Sequence, residues 1–94
     1  MDGVEARLLL GERLATYRAK SYEQLRELIH RGGETFEVRG PSGSPYQVEI
    51  CAVWDDKAGG EVRVIGAIDD GGIRAFAPLT DSFIMTPDGS FVGE

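Results

Sequence analysis

The chain has 94 residues, of which 41% are hydrophobic and 28% are charged, and its formal net charge is −6. This composition is typical of one globular domain, which we expect to span residues 1–94, and it argues against a disordered chain. The negative charge disfavours nucleic-acid binding, because a phosphate backbone would be repelled.

The single cysteine, Cys51, excludes an intrachain disulfide and suits a reducing compartment. The N-terminal stretch is acidic where a secretory signal would be basic, and Leu8–Leu10 is too short to cross a membrane. We therefore expect a cytoplasmic protein without a membrane partner. Residues 40–94 carry nine acidic side chains against three basic ones. This surplus favours either a simply hydrated surface or a basic protein partner.

The first helix is predicted over residues 4–18. Asp2 followed three residues later by Glu5 is the pattern of a capping box, in which two side chains satisfy backbone groups at the start of a helix. Apolar residues then recur at helical spacing, namely Val4, Leu8 and Ala15.

The second helix is predicted over residues 22–31. Ser21 with Gln24 makes a clearer capping box, and Gly32 accepts the left-handed conformation in which helices often end. The apolar stripe of this helix consists of Tyr22, Leu25, Leu28 and Ile29. Residues 1–33 are therefore predicted to be helical.

Residues 34–94 are predicted to form a sheet, because the hydrophobic period changes from 3.6 to 2. The predicted strands are Thr35–Arg39, Tyr46–Trp54, Glu61–Ile68, Ile73–Leu79, Phe83–Met85 and Phe91–Val92, with turns at Gly40–Pro45, Asp55–Gly60, Asp69–Gly72 and Thr86–Ser90. Short connections between neighbouring strands favour an antiparallel meander. We predict an α+β fold, with two N-terminal helices packed on one face of a sheet of about four to six strands.

The other face of this sheet carries few charges for a surface exposed to water. By strand alternation, the residues that point to it are Cys51, Val53, Ile65 and Ala67. We expect it to be covered, either by the C-terminal segment or by a second subunit in a two-fold dimer. The apolar residues of that segment are Phe83, Ile84, Met85 and Phe91.

Acidic side chains could form a metal site at one end of the sheet. Asp55, Asp56 and Asp81 are the candidate ligands for a hard cation such as Mg²⁺ or Ca²⁺, with Glu61 nearby in the meander. Such a site would support a metal-assisted hydrolase. The alternative is that these aspartates serve as ordinary turn residues beside glycine.

Aromatic side chains could line a small-ligand pocket between the helices and the sheet. The candidates are Tyr22, Tyr46 and Trp54, and the alternative is that they pack in the core. His30 fits a structural or surface role at a helix end, and Cys51, between Ile50 and Ala52 in a strand, is expected to be a buried packing residue. No cofactor motif and no catalytic residue is recognisable, which favours a non-enzymatic protein.

The second half of the chain resembles small uncharacterised bacterial proteins. The residues that carry this resemblance lie within Tyr46–Glu94, mainly in Val62–Gly72, Leu79–Thr80, Phe83–Met85 and Pro87–Glu94. The resemblance implies a bacterial origin and supplies no activity or site. The leading functional hypothesis is a protein-interaction or homo-oligomerising domain, and the hydrolase and the ligand-binding pocket are the alternatives.

Overall fold

The structure, a computed structural model, describes residues 2–70 and 78–93. Its elements are α1 (Gly3–Arg18), α2 (Tyr22–Arg31), β1 (Glu34–Arg39), β2 (Pro45–Trp54), β3 (Val62–Asp69) and β4 (Leu79–Met85). The four strands of the described residues form one antiparallel sheet in the order β1-β2-β3-β4. The predicted α+β meander is therefore confirmed, with two helices preceding the strands.

The helix ends follow local sequence chemistry. In α2, the backbone nitrogen of Gln24 donates to Ser21 Oγ at 3.2 Å. The backbone nitrogen of Ser21 donates to Gln24 Oε1 at 2.9 Å, which completes the predicted capping box. Gly32 ends the helix with a φ of 84°. In α1, Asp2 accepts hydrogen bonds from the nitrogens of Val4 and Glu5. Glu5 does not return the contact, so only half of the first predicted box forms.

Both helices pack on one face of the sheet, where a single apolar core forms. Its buried members are Ala6, Leu10, Leu14, Tyr17, Leu25, Leu28, Tyr46, Val48, Ile50, Ala52, Val62, Val64, Ile68, Phe83 and Met85. In the described parts of the chain, every residue that is classed as buried and has a side chain is apolar or tyrosine. Burial of apolar surface therefore stabilises this face.

The side of α1 that carries the recurring Val4 and Leu8 does not face the core. Val4 and Leu8, which recur at helical spacing, are 73% and 64% exposed. The residues that α1 buries are instead Ala6, Leu10, Leu14 and Tyr17. Because α1 carries apolar residues on two opposite sides, periodicity alone could not decide which side would meet the sheet.

β4 is longer than the predicted Phe83–Met85 segment. It runs without a break through Thr80, Asp81 and Ser82, which pair with β3. An edge strand tolerates polar side chains, so this polar stretch pairs with β3 although it lacks the alternation of apolar and polar residues that is typical of a strand. The predicted turn at Thr86–Ser90 is present, closed by a hydrogen bond of 2.8 Å from the Thr86 nitrogen to the Ser90 oxygen. Most of the predicted hairpin at Asp69–Gly72 and of the predicted strand Ile73–Leu79 lies outside the described residues.

The C-terminal segment packs on the helix side of the sheet. Phe83 and Met85 are buried in the core, and the Phe91 ring contacts the Phe83 ring edge-on at 5.7 Å. The Arg18 guanidinium lies over both rings, at 4.8 and 5.2 Å from their centroids. The expectation that these three apolar residues cover the opposite face is therefore wrong. No helix in the described residues is long and apolar enough to cross a membrane.

Candidate interaction surface

The face of the sheet that points away from the helices, here called the outer face, has an apolar centre. It is formed by Cys51 and Val53 on β2, Ile65 and Ala67 on β3, and Ile84 on β4. Burial alternates along β2 and β3, so these side chains point away from the core, as predicted from the sequence. The register places Cys51 beside Ile65, with Val53 next along β2 and Ala67 next along β3, whereas Arg63 stands between Val53 and Ile84.

The apolar centre is accessible in the described structure. Cys51 is exposed because its side chain points away from the helices, so the expectation of a buried packing residue is wrong. Val53 is 43% exposed, and Ile65 and Ala67 are half-buried by their neighbours within the sheet. Both helices lie on the opposite side. A shallow depression of about 180 Å³ lies beside this centre, with Gly33, Thr35, Glu49 and Cys51 among its lining residues.

Gly33 shapes one wall of this depression. Its φ is 99°, and a Cβ atom at this position would lie 2.7 Å from the Ile50 carbonyl oxygen and 3.4 Å from Cys51 Cα. Only glycine combines this conformation with such a close approach to β2. The connection from α2 to β1 therefore runs close against β2.

A polar rim surrounds the centre of the outer face. Arg63 Nε and Nη2 both lie 2.8 Å from Asp55 Oδ1, and Nη1 donates to Ser82 Oγ at 3.3 Å. This network links the end of β2 to β3 and β4, and it holds a basic group between Val53 and Ile84. Glu49 lies on β2 on the other side of Cys51 and is exposed. An apolar centre within a rim of both charge signs has the anatomy of a protein–protein interface.

The candidate metal ligands do not converge. Asp55 is paired with Arg63, whereas Asp81 lies inside β4 opposite Gly66. Val62 lies at the end of β3 nearest Asp55, and Gly66 is four residues further along the strand. The two aspartates are therefore separated by about 13 Å along the strand direction alone. In residues 2–70 and 78–93, no group of three or more histidine, cysteine, aspartate or glutamate side chains could hold a metal ion. The expected gathering of Asp55, Asp56 and Asp81 at one end of the sheet is not seen.

The three candidate ligand-binding aromatics also lie apart. Tyr46 and Trp54 are eight residues apart on β2, which corresponds to about 26 Å. Tyr22 donates a hydrogen bond of 2.6 Å to the Gly60 carbonyl oxygen, and both Tyr22 and Trp54 pack against the margin of the core. Tyr46 is buried at the other end of β2. The structure therefore does not bring these three side chains into one pocket.

Sequence reasoning missed a hydrogen-bond network that joins α1 to the β1–β2 turn. The Glu5 carboxylate accepts bonds from the Ser42 nitrogen at 2.9 Å, from Ser42 Oγ at 2.7 Å and from the Tyr46 hydroxyl at 2.7 Å. Gly40 lies so close to this carboxylate that a Cβ atom there would overlap it. The network therefore fixes the position of the helix start against the sheet.

These bonds favour the ionised carboxylate and the neutral phenol. The pKa of Glu5 is lowered, mainly by the Ser42 side chain. The pKa of Tyr46 is raised to about 12, mainly by its bond to Glu5. Near neutral pH, Glu5 is therefore ionised and the Tyr46 hydroxyl is neutral, which are the forms that make these hydrogen bonds. The sequence offered only a glycine- and serine-rich turn here, whose partner lies 37 residues away along the chain.

His30 is exposed in the last turn of α2, at the helix end where the sequence placed it. No protein-family model, curated protein or solved structure matches this chain. The resemblance to small uncharacterised bacterial proteins therefore stays a prediction.

Proposed function

We propose that this domain is a non-enzymatic homo-oligomerising module and that its outer face is the contact surface between two copies. The observation that carries the proposal is the apolar centre formed by Cys51, Val53, Ile65, Ala67 and Ile84, which no part of residues 2–70 and 78–93 covers. Removing such a patch from water is favourable in proportion to its apolar area. An exposed cysteine at its middle suits the reducing environment of a cytoplasm.

A second copy is a fitting occupant because the patch is self-complementary. Arg63 and Glu49 lie on opposite sides of the pair formed by Cys51 and Ile65. A two-fold axis between two stacked sheets, running roughly across the strands, brings Glu49 of each copy toward Arg63 of the other. The same axis stacks the two apolar centres, and the sheets then cross at the modest angle that is common in sheet-on-sheet packing.

The test is the oligomeric state of the full chain, measured by sedimentation velocity from micromolar to millimolar concentration. We expect the wild-type chain to associate and Val53→Glu to weaken this association at least about tenfold, because it places a charge in the apolar centre. Ala58→Glu is the matched control, since it adds the same charge at an exposed loop position. A wild-type chain that stays monomeric at millimolar concentration contradicts the proposal.

Cys51 provides a second readout, because it is the only cysteine in the chain. A short bismaleimide should link two copies through Cys51 if the two outer faces are stacked. The linked dimer should be lost in Val53→Glu and kept in Ala58→Glu. Equal cross-linking of the two variants would show that the contact lies elsewhere.

A further inference from the structure

The outward side of α1 carries a second apolar surface. Val4, Leu8, Gly11 and Ala15 follow one another at steps of four, three and four residues, so they form one line along the helix, here called the α1 stripe. Val4 and Leu8 are 73% and 64% exposed, and Gly11 and Ala15 are also exposed. This is the spacing with which one helix packs against another, and no element of the described chain covers the stripe.

Gly11 adds an independent observation. Glycine is unfavourable in the middle of a helix, because it loses more conformational freedom there than any other residue. A Cβ atom at Gly11 would have no atom of the described chain within 4 Å, so packing within one copy does not require glycine there. A second helix that approaches closely at Gly11 and Ala15 would make use of the missing side chain.

We propose that α1 pairs in parallel with α1 of a second copy through the α1 stripe. The charges beside the stripe specify both the occupant and the direction. Arg7 flanks one side, whereas Glu12 flanks the other, and both are exposed. In a parallel pair, a residue on one flank meets the residue five positions further along the partner helix. Arg7 of each copy therefore meets Glu12 of the other.

An antiparallel pair would bring like charges together. Glu12 shares its flank with Glu5, so acids would face acids there. On the other flank, where Leu14 is buried in the core, Arg7 of one copy would face Arg7 of the other. Within its own chain, Glu5 is held by Ser42. The pairs left to set the direction are thus the two symmetric contacts between Arg7 and Glu12. Electrostatic complementarity of this kind fixes orientation more than it adds affinity.

This contact is independent of the outer-face interface proposed above. α1 covers the helix side of the sheet, so the α1 stripe and the outer face look in different directions and can be occupied at the same time. With both contacts in place, the chain forms assemblies larger than a dimer. Each contact can therefore be removed separately.

The test measures sedimentation of Val53→Glu, Leu8→Glu and the double variant V53E/L8E. We expect each single variant to sediment as a dimer held by its remaining contact, and the double variant to sediment as a monomer. A monomeric V53E at millimolar concentration overturns α1 pairing and leaves the outer face supported. A monomeric L8E beside an unchanged V53E overturns the outer-face contact and supports α1 pairing.

Charge reversal then tests the parallel direction in the V53E background. Arg7→Glu and Glu12→Arg should each raise the dimer dissociation constant about tenfold, because each turns two attractions into two repulsions. The combined variant R7E/E12R should return to within about threefold of the starting value. If the combined variant binds as weakly as either single variant, the parallel pairing is wrong.

Gly11→Ala controls for unfolding in the same background. A single copy should melt higher, because alanine favours the helix and meets no atom at this position. The dimer should dissociate more readily, because the added methyl group holds the two helices apart. A higher melting temperature together with unchanged or tighter dimerisation contradicts close approach at Gly11.

Discussion

The two faces of the sheet use the same strands for different purposes. On β3, Val62, Val64 and Ile68 are fully buried under the helices, while Ile65 and Ala67 on the other face are only half-buried. The inward residues supply the apolar burial on which folding depends. The outward residues add little to the core and leave an apolar surface available. Stability and association can therefore be altered separately in this molecule.

The largest contrast is expected between Ile68→Ala and Ile65→Ala, which are the same change on opposite faces of one strand. Ile68 is fully buried, so its truncation should lower the free energy of unfolding by about 2–5 kcal/mol. Ile65→Ala should lower it by about 1 kcal/mol, because the side chain is already partly in water. Urea unfolding at low protein concentration, where single copies predominate, measures both.

Similar losses for the two isoleucine variants would show that the outer face is as well packed as the core. The effects of the two variants on self-association should rank in the reverse order. Ile65→Ala should weaken self-association, whereas any fraction of Ile68→Ala that remains folded should associate like the wild type.

Alanine substitution at two glycines compares the core with the exposed side of α1. A Cβ atom at Gly66 would lie 2.8 Å from Leu10 Cδ1 and 3.1 Å from Ile50 Cδ1, so Gly66→Ala should overfill the core and lower stability by about 1–3 kcal/mol. Gly11→Ala should raise stability by about 0.8–1 kcal/mol, since it meets nothing. Thermal unfolding of the two variants at equal, low concentration should give shifts of opposite sign. Two shifts of the same sign would contradict the packing described here.

The Arg63–Asp55 pair on the outer face should contribute less than either core change. Its side chains are 38% and 22% exposed, so water screens the interaction. A double-mutant cycle with Arg63→Met and Asp55→Asn should give a coupling energy of about 0.5–1 kcal/mol. The coupling should shrink between low and high salt. A coupling energy near zero at low salt would mean that the pair only positions its side chains.

The smallest effect concerns pH and the network at the start of α1. Because the pKa of folded Glu5 is lowered, its contribution to stability is complete above the pKa of the unfolded chain and disappears as the pH falls through the folded value. Tyr46 behaves in the opposite sense. Its contribution is complete below about pH 10, the usual tyrosine pKa, and disappears as the pH rises toward a folded pKa of about 12.

Melting temperatures recorded against pH check this network. Glu5→Gln should weaken the pH dependence on both the acid and the alkaline side, and the acid loss that remains is expected from Asp88, whose pKa is also lowered. Tyr46→Phe should weaken the alkaline side and leave most of the acid side, which depends mainly on Ser42. The alkaline loss that remains is expected from Tyr17, whose pKa is raised by burial and by its bond to Glu34. An unchanged acid side in Glu5→Gln would contradict the network.

Helices and strands whose signals lie close together in the sequence could be predicted well. The observed α2 has the predicted bounds because its capping box, apolar stripe and terminal glycine act within ten or so residues. β2 and β3 were found within one residue, since strict alternation identifies both a strand and its two faces. The same alternation identified the outward residues Cys51 and Ile65 before their surroundings were known.

Features that depend on distant partners could not be predicted. The core-facing side of α1 could not be chosen, because the helix carries two apolar stripes and only packing on the sheet decides between them. The position of Asp81 was misjudged because a polar edge strand follows its neighbour rather than a pattern of its own. The Glu5 network was missed because a local capping box offered a simpler partner than Ser42, which lies 37 residues away.

The strand order has a kinetic consequence. Each strand of the sheet pairs with its neighbour in sequence, so no described pairing requires a long loop to close first. Chains whose native pairings are close in sequence lose little loop-closure entropy before contacts form, and they fold faster than sheets with crossed connections. A newly synthesised chain can therefore add one hairpin after another to the sheet, and the apolar residues of its core are exposed only briefly.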